Sequence, residues 1–158
     1  MSLDGLSAGH ALCKVFFRLE KDAWHGSATE SLWAEPAAGG RYRLRNSPFY
    51  AFGVSAEDIV FAQEEDGLLF FTEVSLRGGH STYRIMKVKG LQSGEFERYW
   101  EPLRQAGCSY EEGPGRLLAV DVPSEADFQR VYALMEQGEK AEVWHFEEGH
   151  RGHLHPEP

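Results

Sequence analysis

Cysteine is scarce in this 158-residue chain: Cys13 and Cys108 are the only two, far apart and outside any C-x-x-C pair. They read most simply as reduced structural thiols, and nothing in their spacing asks for a bridge between them. Long apolar runs are also missing, and no stretch approaches the ~20 residues that would cross a bilayer. The opening "MSLDGLSAGHALCK" has no basic start followed by an apolar stretch. It does not read as a secretory signal, so the expected location is cytoplasmic, with no membrane partner. Positive charge is in short supply, with 16 Lys and Arg against 25 Asp and Glu and a formal net charge of -9. An acidic field repels phosphate backbones and disfavours direct nucleic-acid binding, while it speeds encounter with a basic protein. A P-loop, a G-x-G-x-x-G turn, a G-x-S-x-G elbow and an EF-hand loop are all absent, so no cofactor is expected.

What is present suits a globular fold. Hydrophobic residues make up 42% and charged residues 26%, ordinary proportions for a soluble domain. A chain of this length buries roughly two-thirds of its unfolded surface and needs no metal or disulfide to hold it together. Residues 1–13 are small, polar and without period, and are expected to be disordered. Residues 150–158, within "GHRGHLHPEP", read as a flexible tail. Between them the chain changes character near "LRGGH", which divides residues 14–78 from 79–149.

The first part reads as strands. "KVFFRLE" sets Val15, Phe17 and Leu19 on one face. "ATESLWAEP" and "RYRLRN" flank "AAGG" and predict a hairpin; with Ala37–Gly40 as its loop, Trp33 falls opposite Leu44 and Glu35 opposite Tyr42. Arg41, Arg43 and Arg45 then share the other face, where carboxylates of neighbouring strands are their expected partners. Asp66-Gly67, between "DIVFAQ" and "LLFFTEV", suits a type I′ turn. Five strands without a helix predict a small β-barrel or a strongly curved antiparallel sheet.

The second part alternates. "STYRIMKVKG" is a strand, and "EFERYWEPLRQAG" carries a helical stripe of Phe96, Tyr99, Trp100 and Leu103, with Pro102 predicting a kink or two short turns. "CSYEE" and "RLLAVDV" are strands. Ser124 is the expected cap of a second helix with the stripe Phe128, Val131, Tyr132 and Met135, ended by Gly138, before a last strand "AEVWHFEE". The order β-α-β-β-α-β predicts a ferredoxin-like sandwich in an α+β protein. Its first strand is apolar on both faces, so the strand-rich half should cover the face its helices leave bare.

Candidate chemistry is thin. "WHFEEGH" resembles a zinc signature but places His145 and His150 five apart, on opposite faces of a strand, so no metal site is expected there. His80 beside Ser81 invites a base and nucleophile, yet adjacent side chains on extended chain diverge and no orienting acid is identifiable. "NSPFYAFG" packs Phe49, Tyr50 and Phe52 together; Phe49 and Phe52 are expected to plug the barrel end or the seam, with Tyr50 a surface contact.

These segments carry a resemblance. "ESLWAEP…GRYRLRNSPFYAFGVSAEDIV", "LFFTEV…GGHSTYRI" and "LRQAGCSYE…LLAVDVP" resemble the bacterial family named domain of unknown function 4265, over about residues 14–149. Its Asn-x-Pro-Phe-aromatic pattern is matched by Asn46, Pro48, Phe49 and Tyr50, and its Gly-His-Ser-Thr by Gly79, His80, Ser81 and Thr82. Glu57-Asp58 stands where that family has Gly-Asp. The resemblance supports the fold and the His80 candidate, and implies no reaction.

Two functions follow from the residues. The first is a non-enzymatic binding protein, most sharply an immunity protein that occludes the active site of a basic or nucleic-acid-acting toxin. Its contacts would come from Glu64, Glu65, Asp66, Glu111, Glu112 and Tyr50. The second is a small-molecule sensor or enzyme with a seam pocket formed by His80, Tyr83, Arg84, Phe49 and Phe52.

Overall fold

The computed structural model describes residues 11–20 and 23–153. Its first sheet holds β1 (Cys13–Arg18), β2 (Thr29–Ala37), β3 (Arg41–Leu44), β4 (Ile59–Glu65) and β5 (Leu68–Leu76), paired antiparallel in chain order. The sheet curves until β1 meets β5 in parallel, over the pairs Val15–Leu69 and Phe16–Phe70. Val15, Phe17, Leu32, Ala34, Leu44 and Val60 are buried inside the curve. Alternation along β1 and β2 places them there. Cys13 therefore opens β1 and does not belong to an irregular leader; residues 1–10 lie outside the described residues.

The β2–β3 register differs from expectation by one residue. Ala34 faces Leu44, Glu35 faces Arg43 and Pro36 faces Tyr42. The hairpin closes on Ala37–Arg41, leaving a three-residue loop with Gly39 and Gly40 at φ 78° and 71°. β2 can run through Pro36 because its pairing with β1 stops at Ala34. A one-residue slip exchanges faces, so Leu44 joins the core while Trp33 is 45% exposed. On the outer face Arg45 pairs with Glu57 at 2.8 Å and with Glu35 at 3.6 Å, and Arg43 lies 3.7 Å from Glu57. Arg41 instead donates to the Ala38 carbonyl and to Ser75 Oγ. Asp66 and Gly67 both take positive φ, 52° and 84°, as their hairpin turn requires.

The second sheet has the order β7-β8-β6-β9, all neighbours antiparallel. Its elements are β6 (Ser81–Lys87), α1 (Glu95–Gln105), β7 (Ser109–Glu112), β8 (Leu117–Val122), α2 (Phe128–Lys140) and β9 (Trp144–His150). Phe96, Trp100 and Leu103 of α1, with Phe128, Val131 and Met135 of α2, pack on Tyr83, Ile85, Val120, Val122 and Trp144. No helix among the described residues is long and apolar enough to cross a membrane.

Several local expectations change. α1 continues through Pro102 as one element. The cap of α2 is Asp127, whose carboxylate accepts the Arg130 N–H at 3.2 Å, while Ser124 donates to Glu125. Gly138 lies inside α2, which runs on to Lys140. A Cβ at Gly138 would sit 2.2 Å from the Trp144 ring, so this glycine serves packing and not termination. The segment after Gly149 is held: β9 extends through His150, and residues 151–153 are hydrogen-bonded into the protein, as described next. Residues 154–158 lie outside the described residues.

Candidate functional site

β6, inside the second sheet, turns one face to each half of the protein. Tyr83 and Ile85 face the helices, whereas Thr82 and Arg84, both buried, face the loop from Asn46 to Asp58 that links β3 and β4. A polar network fills this seam. Asp58 accepts the N–H groups of Ser55 and Gly78 and a guanidinium N–H of Arg77, at 2.9–3.1 Å. Ser55 Oγ lies 2.6 Å from Thr82 Oγ1 and 2.9 Å from His150 Nδ1. Burial, then the charge of Arg77, hold the His150 imidazole below its ordinary pKa, against opposing pulls from Asp58 and Glu148.

His80 and Ser81 take separate partners. His80 Nδ1 is 2.8 Å from Asp121 Oδ1. Burial raises the Asp121 pKa, and the His80 hydrogen bond opposes that rise only in part. Ser81 Oγ is 2.6 Å from His153 Nδ1, and His153 Nε2 is 2.9 Å from the Pro123 carbonyl. A carbonyl can only accept, so in the neutral ring Nε2 carries the proton and Ser81 donates to Nδ1. Ser81 Oγ also accepts the N–H groups of Gly152 and His153. A fully buried hydroxyl with its proton and lone pairs in use is a structural tie.

The aromatic stretch is clamped between two charges. Glu30 on β2 accepts the backbone N–H groups of Phe49, Tyr50 and Ala51. From the other side Arg84 donates to the carbonyls of Tyr50 and Ala51, each at 2.8 Å. Its guanidinium lies 4.6 Å from the Phe52 ring centroid and 3.8 Å from Glu147. Arg84 is 3% exposed and its Nε has no hydrogen-bond partner. Burial lowers its pKa, and Glu147 and Glu30 pull the other way. Gly149 is required beneath it, since a Cβ there would come within 2.1 Å of Nη1. Phe49 packs on Gly113, and the Gly53 N–H donates to the Gly149 carbonyl.

The loop so fixed forms one wall of a mouth at the end of the first sheet. The cavity is about 370 Å³ and is lined by Phe17, Phe71, His25, Tyr50 and Phe52, with Arg18 and Glu20 also on its wall. The His25 and Tyr50 rings stack at 4.3 Å, and Trp24 meets Tyr50 edge-on at 5.9 Å. Trp24 is 63% and Phe52 65% exposed. Phe52 is therefore a surface ring and not the expected plug: the Arg84 guanidinium lies over it, and the backbone on either side, at Ala51 and Gly53, is pinned.

The other predicted residues are dispersed. Glu64, Glu65 and Asp66 are exposed at the β4–β5 tip, with Glu65 bonded to Arg18 at 2.8 Å beside the mouth. Glu111 and Glu112 are exposed on edge strand β7, and Glu111 also accepts the Ser47 N–H at the start of the aromatic loop. Arg84 and Phe52 come together. His80 lies apart with Asp121, and Tyr83 stacks on Phe128 on the helix side of the sheet, its pKa raised by burial and by Glu148. Glu30, Arg18, Trp24 and His25 escape the sequence reading. For Glu30 a signal existed: it shares the inward register of Leu32 and Ala34, a carboxylate on an apolar face. Among the described residues no group of three or more His, Cys, Asp or Glu could hold a metal ion.

Residues 30–146 match the family described as Domain of unknown function (DUF4265). The chain belongs to that family. A solved structure described as a novel crystal structure of a hypothetical protein from Neisseria gonorrhoeae is similar, with a TM-score of 0.76 and 18% identity, covering 92% of this chain and 99% of that one. At that identity the likeness speaks for the fold alone. No curated protein matches the chain. In this DUF4265 protein the stretch from Asn46 to Tyr50 leads into the clamped wall of the mouth, beginning with the Asn46 side chain accepting the Trp33 N–H at 2.9 Å. Gly79 to Thr82 supplies the seam.

Proposed function

We propose that this DUF4265 protein is an acidic, non-catalytic, cytoplasmic protein-binding module. In its sharpest form it is a bacterial immunity protein that covers the active site of a toxin acting on nucleic acids or nucleotides. The observation that carries this reading is the mouth: a loop whose backbone is fixed by Glu30 and Arg84 yet whose Phe52 is 65% exposed, with Trp24, edge-on to Tyr50, 63% exposed. Rigid exposed aromatics are the side chains that anchor interfaces, because they bury large area with little entropy to lose. Glu65 beside the mouth, its neighbours Glu64 and Asp66, and the net charge of -9 favour a basic partner. Seam groups of the kinds that do chemistry, Ser81 above all, are occupied by hydrogen bonds within the protein.

The test is co-purification with the product of the adjacent gene. A tight complex whose association slows with salt, and which weakens at least tenfold in Phe52→Ala, is expected. Failure to form any complex with a toxin encoded there would overturn the immunity role. A second reading, a small-molecule sensor, is favoured by the cavity itself: about 370 Å³ lies within the range of ligand sites, although it opens at the mouth and not at His80. A thermal shift with small metabolites, in the absence of any captured protein, would select it.

We also read the first sheet as a small barrel, supported by the β1–β5 contact, and the second as ferredoxin-like, supported by its β7-β8-β6-β9 order with antiparallel neighbours.

A further inference from the structure

We infer that the mouth receives a cationic side chain, an arginine or lysine, of the basic partner. This rests on the binding-module reading and names the chemistry of its anchor. The rings of His25, Tyr50, Phe52 and Phe71 line one cavity of about 370 Å³. An aromatic lining attracts a desolvated cation more than an anion. The local charges agree. Among the described residues the Glu20 carboxylate stands on the cavity wall, while both nearby guanidiniums are engaged: Arg18 with Glu65 at 2.8 Å, Arg84 with two carbonyls at 2.8 Å. The protein already uses the same chemistry here, with Arg18 set 3.9 Å over Phe70 and Arg84 4.6 Å over Phe52. His25 accepts the Ser27 N–H at Nδ1, which holds the ring in place beside Tyr50. An apolar guest would fill the cavity but give the Glu20 carboxylate no counter-charge.

The probes are acetyl-Gly-Arg-Gly-amide and its norleucine counterpart, titrated into the whole protein. Binding is read by NMR at the Trp24 indole, assigned with Trp24→Phe, and at the Ala51 and Phe52 amides. The arginine peptide should shift these signals saturably, bind at least about threefold more tightly than the norleucine peptide, and weaken in high salt. Phe52→Leu, a change at an exposed ring, should weaken it about threefold or more, and Tyr50→Leu likewise. Equal binding of the two peptides, or arginine shifts confined to Glu64–Asp66 and Glu111, would overturn the inference. If a toxin is captured through Phe52 while the arginine peptide leaves Trp24 unmoved, the inference fails and the binding-module reading stands. If the arginine peptide binds as described but no protein is captured, the cation site stands and that reading fails.

Discussion

Replacing Arg84 with methionine tests the clamp that holds the aromatic loop. Methionine keeps most of the aliphatic stem, so the change isolates the guanidinium. Two charge-assisted hydrogen bonds, to Tyr50 O and Ala51 O at 2.8 Å, disappear. At about 1.5–3 kcal/mol each, with about 0.5–1 kcal/mol for the stack on Phe52, the gross loss is about 4–7 kcal/mol. Against this, Arg84 is 3% exposed, its Nε has no partner, and Glu147 is 3.8 Å away. Relieving that desolvation offsets several kcal/mol. The net is a destabilisation of about 2–3 kcal/mol, which would move a urea midpoint down by about 1–2 M. Amide exchange at Tyr50 and Ala51 should accelerate more than exchange in α1 or α2. Glu30→Gln should couple to it by at least about 0.5 kcal/mol in a double-mutant cycle, because both side chains hold the same Tyr50–Ala51 peptide. An Arg84→Met protein as stable as the parent, or more so, would refute the reasoning and show that burying the charge outweighs its bonds.

Gly138→Ala should destabilise by about 1–3 kcal/mol in thermal or urea unfolding, despite the ~1 kcal/mol that alanine gains in a helix, since its methyl would meet the Trp144 ring at 2.2 Å. His150, kept neutral by burial and Arg77, contributes stability that is complete above its unfolded pKa of about 6.5 and is lost as pH falls toward its lower folded value. Melting temperatures at pH 7.5 and pH 5 should therefore differ less in His150→Asn than in the parent. A thiol reagent at pH 8 should titrate Cys13 in the native protein and both cysteines after unfolding, because burial, assisted by the nearby Asp121, pushes the Cys108 thiol up to about 12.

Much of the fold was legible because it is written in short-range pattern. Val15 and Phe17 alternate onto one face, Phe96, Trp100 and Leu103 recur at helical spacing, and Asp66-Gly67 permits one tight turn. The β2–β3 register was not, since "AAGG" accommodates loops of three or four residues and only contact with the curved core decides between them. Gly138 reads locally as a stop and is explained by an indole six residues later. The site was less legible still. Glu30, Tyr50 and Arg84 lie on three separate segments, and nothing local says that one acid and one base grip opposite sides of a single peptide. His153 sits in a stretch that looks solvated, yet its ring stacks on Phe128 at 5.0 Å and locks Ser81.

The contact between β1 and β5 has a consequence for how the mouth breathes. It comprises two register pairs, fewer than any other ladder among the described residues, and Phe17 and Phe71 of the cavity wall directly follow its last pair, Phe16–Phe70. Widening the enclosure by parting these strand ends would separate the stacked Phe17 and Phe71 rings of the first core, while the second core stays shut. A guest too bulky for the resting cavity would then enter by unzipping the lip from this weakest stitch.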